Sequence, residues 1–168
     1  MPKRLADTNL ALIALTTRPA DPANPTVAEL EAGIRCECAI NKSDYKLGPT
    51  GSSTISEQEL CKAGEAKDWG PAAFEGQLTC FIYHNADGTR NEQENKVYNL
   101  FKTKGTILHL YQREGKPYAD PIAAGDIVDH YEVSTDTPQA PDDRFSGYIK
   151  RTIPLAVLDA HLDAAVKA

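Results

Sequence analysis

Four cysteines and four histidines are the side chains in this sequence best suited to holding a metal: Cys36, Cys38, Cys61, Cys80, His84, His109, His130 and His161. Cys36 and Cys38 lie two apart in "IRCECAIN". There Ile34, Cys36, Cys38 and Ile40 alternate with Arg35 and Glu37, which predicts an antiparallel strand with both thiols on one face. Cys61, Cys80 or His84 could complete a zinc set, but C-x-C with distant partners lacks the paired spacing of structural zinc sites. The expectation is buried free thiols that pack as small hydrophobes, with no metal and no cofactor. A disulfide framework needs an oxidising compartment, and the N-terminus offers no route to one. Its apolar run from Leu10 to Leu15 is short, has Asp7 and Asn9 just before it, and lacks a clean cleavage site. No stretch approaches the ~18 consecutive apolar residues of a membrane span. The first segment is read as a strand or arm of a protein made in the cytosol, with no membrane partner.

Catalytic patterns fare no better. "GPTGSS" has glycines and hydroxyls but neither the lysine nor the helix of a phosphate-cradling loop. No G-x-S-x-G elbow and no H-E-x-x-H occurs. His130 follows Asp129, but neighbours on a strand point to opposite faces. His84 closes a strand near a turn, where a solvated polar end is expected. The carboxylates are dispersed, and "NKS" at Asn41 is a triplet too common by chance to carry weight. The reading is that this is not an enzyme.

A chain of 168 residues suits one domain, residues 1–168. The net charge of −6, with no cluster of Lys and Arg, excludes a surface built to grip nucleic acid phosphates. After the first strand, "RPADPANPT" is a stiff proline-rich connection. "TVAELEAG" is a short helix with a Thr26–Glu29 capping box, Val27 and Leu30 facing inwards, and Gly33 in the left-handed position after its last turn. The residues from Asn41 to Gly70 show no sustained period, and a hidden strand would fall near Leu60 to Ala66. Such a long irregular segment points to a functional or partner-contacting loop. From Leu78 to Tyr83 the chain is apolar on both faces, as in a strand covered on both sides, and Asp87-Gly88 makes the turn after it.

"NEQENKVYNLFKTKG" predicts a helix capped by Asn91, with Val97, Leu100 and Phe101 inwards and Gly105 ending it. A ribbon follows. Leu108 and Leu110 share one face, with Ile107, His109 and Tyr111 on the other; on the return, Ile127, Tyr131 and Val133 oppose Val128, His130 and Glu132. "RFSGYIKRTIP" reads as a further strand, with Ile149 and Ile153 on one side. In residues 155–168, Leu155, Leu158 and Leu162 have helical spacing, and an extended strand is the alternative. The fold class is mainly β (α+β): an antiparallel β-sandwich or partial barrel with a flanking helix.

Three segments taken in order, "PTVAELEAGIRCECAI" (residues 25–40), "YADPIAAGDIVDHYEVST" (118–135) and "RFSGYIKRTIPLAV" (144–157), resemble the major tail (tail tube) proteins of long-tailed, non-contractile phages, particularly those infecting actinobacteria. The features carried are a short helix ending in Gly that runs into a strand, an A-x-G-D-x-V-x-x-Y-x-V return strand after the flank helix, and a basic strand near the end. The four cysteines depart from the family's habit, and the chain is too short for an added immunoglobulin-like domain.

The resemblance implies a structural virion protein, synthesised in the host cytoplasm, that forms hexameric rings stacked into a tail tube. Strands from each subunit would join into a continuous inner barrel. The tape measure protein would first fill the lumen, and genomic double-stranded DNA would later pass through it without specific binding. Tail-tip and tail-terminator proteins would be the other partners. Residues 1–25 and the loop 42–70 become the contact regions between subunits. Expected contact residues are Tyr45, Leu47, Ile55, Leu60 and Trp69 in or beside the loop, Phe81 and Tyr83 on the doubly apolar strand, and His109, Tyr111 and His130 on the ribbon. The alternatives are a head–tail connector, a tail terminator or an injection-system tube protein and, from another class, a small β-barrel enzyme or binding module.

Overall fold

The computed structural model describes residues 3–168 apart from Glu59, Lys62 and Glu65. Its elements in chain order are β1 (Leu10–Leu15), α1 (Val27–Glu31), β2 (Ile34–Arg35), β3 (Lys46–Thr50), β4 (Thr54–Glu57), β5 (Ala66–Trp69), β6 (Ala73–Phe81), α2 (Lys96–Phe101), β7 (Ile107–Glu114), β8 (Ile127–Thr135) and β9 (Lys150–Ala165). Seven strands form one antiparallel sheet in the order β2-β1-β7-β8-β9-β6-β3, and β4 pairs with β5 in a separate ribbon.

The sheet is curled. Cys36 donates its N–H to Leu12 on β1, while Ile40, four residues on, already bridges Cys80 on the β3 side of β6. Four residues reach at most about 14 Å, so the two margins of the sheet approach each other there, and a 3₁₀ turn at Glu37–Ala39 crosses the seam. The result is a partial barrel. Strand alternation then separates two cores. Inside are Leu12, Leu78, Cys80, Leu108, Leu110, Tyr131, Val133, Ile153 and Leu155, with Val97, Tyr98 and Phe101 of α2 packed among them. Ile13, Leu15, Tyr111, Val128 and Ala164 lie on the other face, covered by Leu30 of α1 and Ile122.

The expected capping box is present: the Thr26 side chain accepts from the Glu29 N–H, and the Glu29 carboxylate accepts from the Thr26 N–H. Gly33 has another role than the one its position suggests. It is absent from the residues with positive φ, and the helix ends on Ala32 in the right-handed region. A Cβ on Gly33 would lie 2.5 Å from Ile13 Cγ2 and 2.7 Å from Leu15 Cδ2, so the missing side chain is what lets α1 rest on β1. Gly33→Ala is expected to lower stability by about 1–3 kcal/mol through overpacking, read as a fall in the urea midpoint.

The structure differs from the sequence reading at several other points. Cys36 and Cys38 do not share a strand face, because β2 ends at Arg35 and the chain turns. Cys36 is buried and Cys38 exposed, and of the other thiols Cys80 is buried and Cys61 exposed. Among its described residues the segment 41–70 holds three short strands, β3, β4 and β5. The strand expected near Leu60 falls partly on Lys62 and Glu65, outside the described residues, while Leu60 and Cys61 form a turn. Asn91 caps a turn, its Oδ1 accepting from the N–H groups of Gln93 and Glu94, and α2 begins only after Asn95. The buried Asn95 side chain clamps that turn to the end of β6, donating to Tyr83 O and Asn91 O and accepting from Tyr83 N. Ile149 precedes β9 and is exposed.

The tail resolves as strand. Helix propensities differ by only tenths of a kcal/mol per residue, whereas an extended β9 pairs with β6 on one side and β8 on the other. Leu158 and Leu162, which suggested the helix, are exposed, and Ile153, Leu155, Ala164 and Val166 are the buried positions.

Candidate functional site

Two features stand apart from the packed core: the β4–β5 ribbon and a polar patch on the outer face of the ribbon β7–β8. In β4–β5, Thr54 pairs with Trp69 and Ile55 with Asp68, and both strands pair only with each other among the described residues. Ile55, Leu60 and Trp69 are all exposed there. A lone two-stranded hairpin is marginal in water, so large apolar side chains on one suit a surface that another chain covers. Phe145 and Tyr148, in the loop before β9, are exposed as well, with Tyr148 edge-on to Phe81 at 6.1 Å.

Of the residues expected at subunit contacts, Ile55, Leu60 and Trp69 are thus on the hairpin, and Phe81 and Tyr83 are half-buried around the end of β6. Leu47, His109, Tyr111 and His130 are instead enclosed by their own chain. Tyr45 is half-buried, its hydroxyl donating to Gln112 Oε1 at 2.6 Å.

What the sequence reading missed is on that outer face. The register sets Tyr111 opposite His130 and His130 opposite His161, and sets His109 opposite Glu132 and Glu132 opposite Asp159. Three histidines that looked unrelated form a stack across β7, β8 and β9. His109 and His130 rings lie 5.4 Å apart and 12° from parallel; His130 and His161 lie 5.4 Å apart at 18°. His109 Nδ1 and His130 Nε2 are 3.1 Å apart, and the Tyr111 ring is 4.8 Å from that of His130. His130 is fully buried, and burial first, then His109 and His161, push its pKa down to about 4. Burial also lowers His109, against the pull of Glu132. The only signal in the sequence was parity, since His109 and Tyr111 share a face, as do His130 and Glu132. The register and the extended tail that supplies His161 could not be seen.

Among the described residues no group of three His, Cys, Asp or Glu side chains is arranged to hold a metal ion. A cleft of ≈ 580 Å³ between the N-terminal segment and the seam is lined by Leu10, Leu12, Ile40, Tyr45 and Tyr118. Its carboxylates are occupied: Glu37 accepts from Arg35 and from the Leu12 N–H, and Asp7 pairs with Lys42. No described helix is long and apolar enough to cross a membrane.

The fold is thus a curled antiparallel sheet with an apolar hairpin that pairs with no other described strand. The family model for phage tail tube protein matches residues 1–168, and the chain belongs to that family. It is therefore a non-enzymatic structural protein of the virion tail, one that assembles with other tail proteins. Its fold is also similar to that of a chain in the cryo-EM structure of the anti-feeding prophage (AFP) baseplate, 6-fold symmetrised, at a TM-score of 0.57 and 10% identity over 96% of each chain. No curated protein matches it.

Proposed function

We propose that this protein polymerises as hexameric rings stacked into the tail tube, and that genomic DNA passes through the lumen on ejection. The observation that carries the reading is the β4–β5 hairpin, whose strands pair with no other described strand and whose Ile55, Leu60 and Trp69 are uncovered. Family membership supplies the context, and the similar baseplate chain comes from a 6-fold assembly. The hairpin reaches a neighbouring subunit, residues 1–25 make a second contact, and Phe81 and Tyr83 contribute at the β6 end. β3 is a sheet edge carrying Pro49, which suits it to an outer position where a neighbour's strand can lie alongside. A head-to-tail joint whose rotation closes after six copies makes such a ring.

The charge of −6 fits a conduit. Duplex DNA carries one charge per ≈ 1.7 Å, so a basic wall would hold it and an acidic wall lets it slide. The tape measure, tail-tip and tail-terminator proteins are the remaining partners, met after synthesis in the host cytoplasm.

Sedimentation velocity over a concentration series tests the hairpin's role. The wild type is expected to form assemblies, while the Ile55→Ser, Trp69→Ser double variant remains small with an unchanged circular dichroism spectrum. A double variant that assembles like wild type would remove the hairpin from the account.

A further inference from the structure

The histidine stack sits beneath a strap. Between β1 and α1 the chain crosses the outer face and is tied down at two points: Pro22 O accepts from the Tyr111 hydroxyl at 3.1 Å, and Arg18 pairs with Glu132 at 3.3 Å. The end of β9 is held nearby, with the Asp163 N–H donating to Asp129 and Lys167 bonded to Pro25 and Asp21. His130 lies at the centre. Its Nε2 faces His109 Nδ1, and its Nδ1 is buried without a hydrogen-bond partner.

That geometry tolerates only one charge state. A neutral imidazole can meet His109 through Nε2 and leave an unprotonated Nδ1 lone pair buried without a donor. An imidazolium has N–H on both nitrogens, and its Nδ1–H would be buried with no acceptor, which is costly. The groups around it give little relief. From β7 come His109 and Tyr111, from β9 His161 and Asp159, from β8 Glu132, and from the strap the cation Arg18. Glu132 is already paired with Arg18, and Asp159 with His161 at 3.2 Å. Asp21 on the strap and Glu29 of α1 act on Tyr111.

We infer that the His109–His130–His161 stack is a proton-sensitive latch, which acidification opens to free the strap between β1 and α1 and the outer end of β9 while the inner core stays folded. The direction follows from linkage. An opened His130 takes up its proton near the ordinary ~6.5, whereas the closed one does so only near 4. The open form therefore binds more protons between these values and gains as pH falls through 6.5, with no further gain below 4. At pH 5 this amounts to roughly a 30-fold rise in the open fraction.

Hydrogen exchange followed by mass spectrometry, corrected for the intrinsic rate, reads this on the full chain. Between pH 7.5 and 5, protection in residues 16–24, 127–132 and 158–165 is expected to fall roughly 30-fold, with α2 and β6 unchanged. His130→Phe keeps a stacked ring without nitrogens and is expected to cut the fall sharply, leaving only the part that buried His109 contributes. Should that variant not fold, His161→Gln at the half-exposed rim is expected to reduce it, since one like charge is removed. Equal loss across core and strap, or the same pH response in wild type and in a folded variant, would overturn the latch.

Discussion

Arg113→Ala is expected to destabilise the protein by about 3–5 kcal/mol, the range for removing one partner of a buried ion pair. Arg113 is 2% exposed. It pairs with the buried Asp126 at 3.2 Å and donates to the carbonyls of Pro117, Asp120 and Pro121 at 2.8, 3.2 and 3.0 Å. One guanidinium thus organises the whole connection from β7 to β8, giving backbone carbonyls of an irregular loop the donors they would otherwise lack. Truncation strands those carbonyls and leaves Asp126 with Lys116 and the Ala123 N–H. Arg113→Lys keeps the charge without the fork and should lose an intermediate amount.

The effect has a pH signature as well. Burial raises the Asp126 pKa, but hydrogen bonds from Lys116, Ala123 and Arg113 outweigh it and hold the carboxyl below its ordinary range. A depressed carboxylate contributes stability that is present above its unfolded pKa and lost as pH falls through the folded one. Without Arg113 the burial cost is less fully offset, so the acid limb of the stability curve should move to higher pH. Urea midpoints from pH 7 down to pH 3 measure both the loss and the shift.

Phe101→Ala is expected to cost about 3–5 kcal/mol and to release α2. Phe101 is fully buried in the inner core. α2 has six residues, far fewer than the ~12–15 at which an isolated helix becomes even marginal in water, so packing holds it in place. Val97 and Tyr98 alone leave a half-filled interface. Against a typical total of about 5–15 kcal/mol, such a loss takes about a fifth or more, and the variant's thermal transition should fall and broaden. A midpoint shifted by less than the equivalent of about 1 kcal/mol would mean the core collapses to fill the space.

Local signals carried much of the fold. The Thr26–Glu29 box needs only adjacent residues, and so does the Asp87-Gly88 turn, where Gly88 has a positive φ and Asn85 N–H donates to Thr89 O. Alternation in the ribbon grouped Leu108 with Leu110, and Tyr131 with Val133, correctly. Failures came where distant parts decide. Cys38 leaves the strand pattern because the chain must turn to cross the seam. The tail extends because β6 and β8 both offer it partners, which no window of residues 155–168 reveals. Gly33 is glycine because of Ile13 and Leu15, twenty and eighteen residues earlier. The candidate site divides likewise. Ile55 and Trp69 could be picked out as large apolar residues in a turn-rich stretch, while the histidine stack depends on cross-strand register.

Electron microscopy of the purified protein over a concentration series, with and without tail-tip components, tests the tube most directly. Rings of six subunits that stack into tubes, with a channel wide enough for duplex DNA, are the expected result. Monomers that stay unassembled even with tip components present would contradict it, and single rings that never stack would point to a component that ends a tube instead of building one.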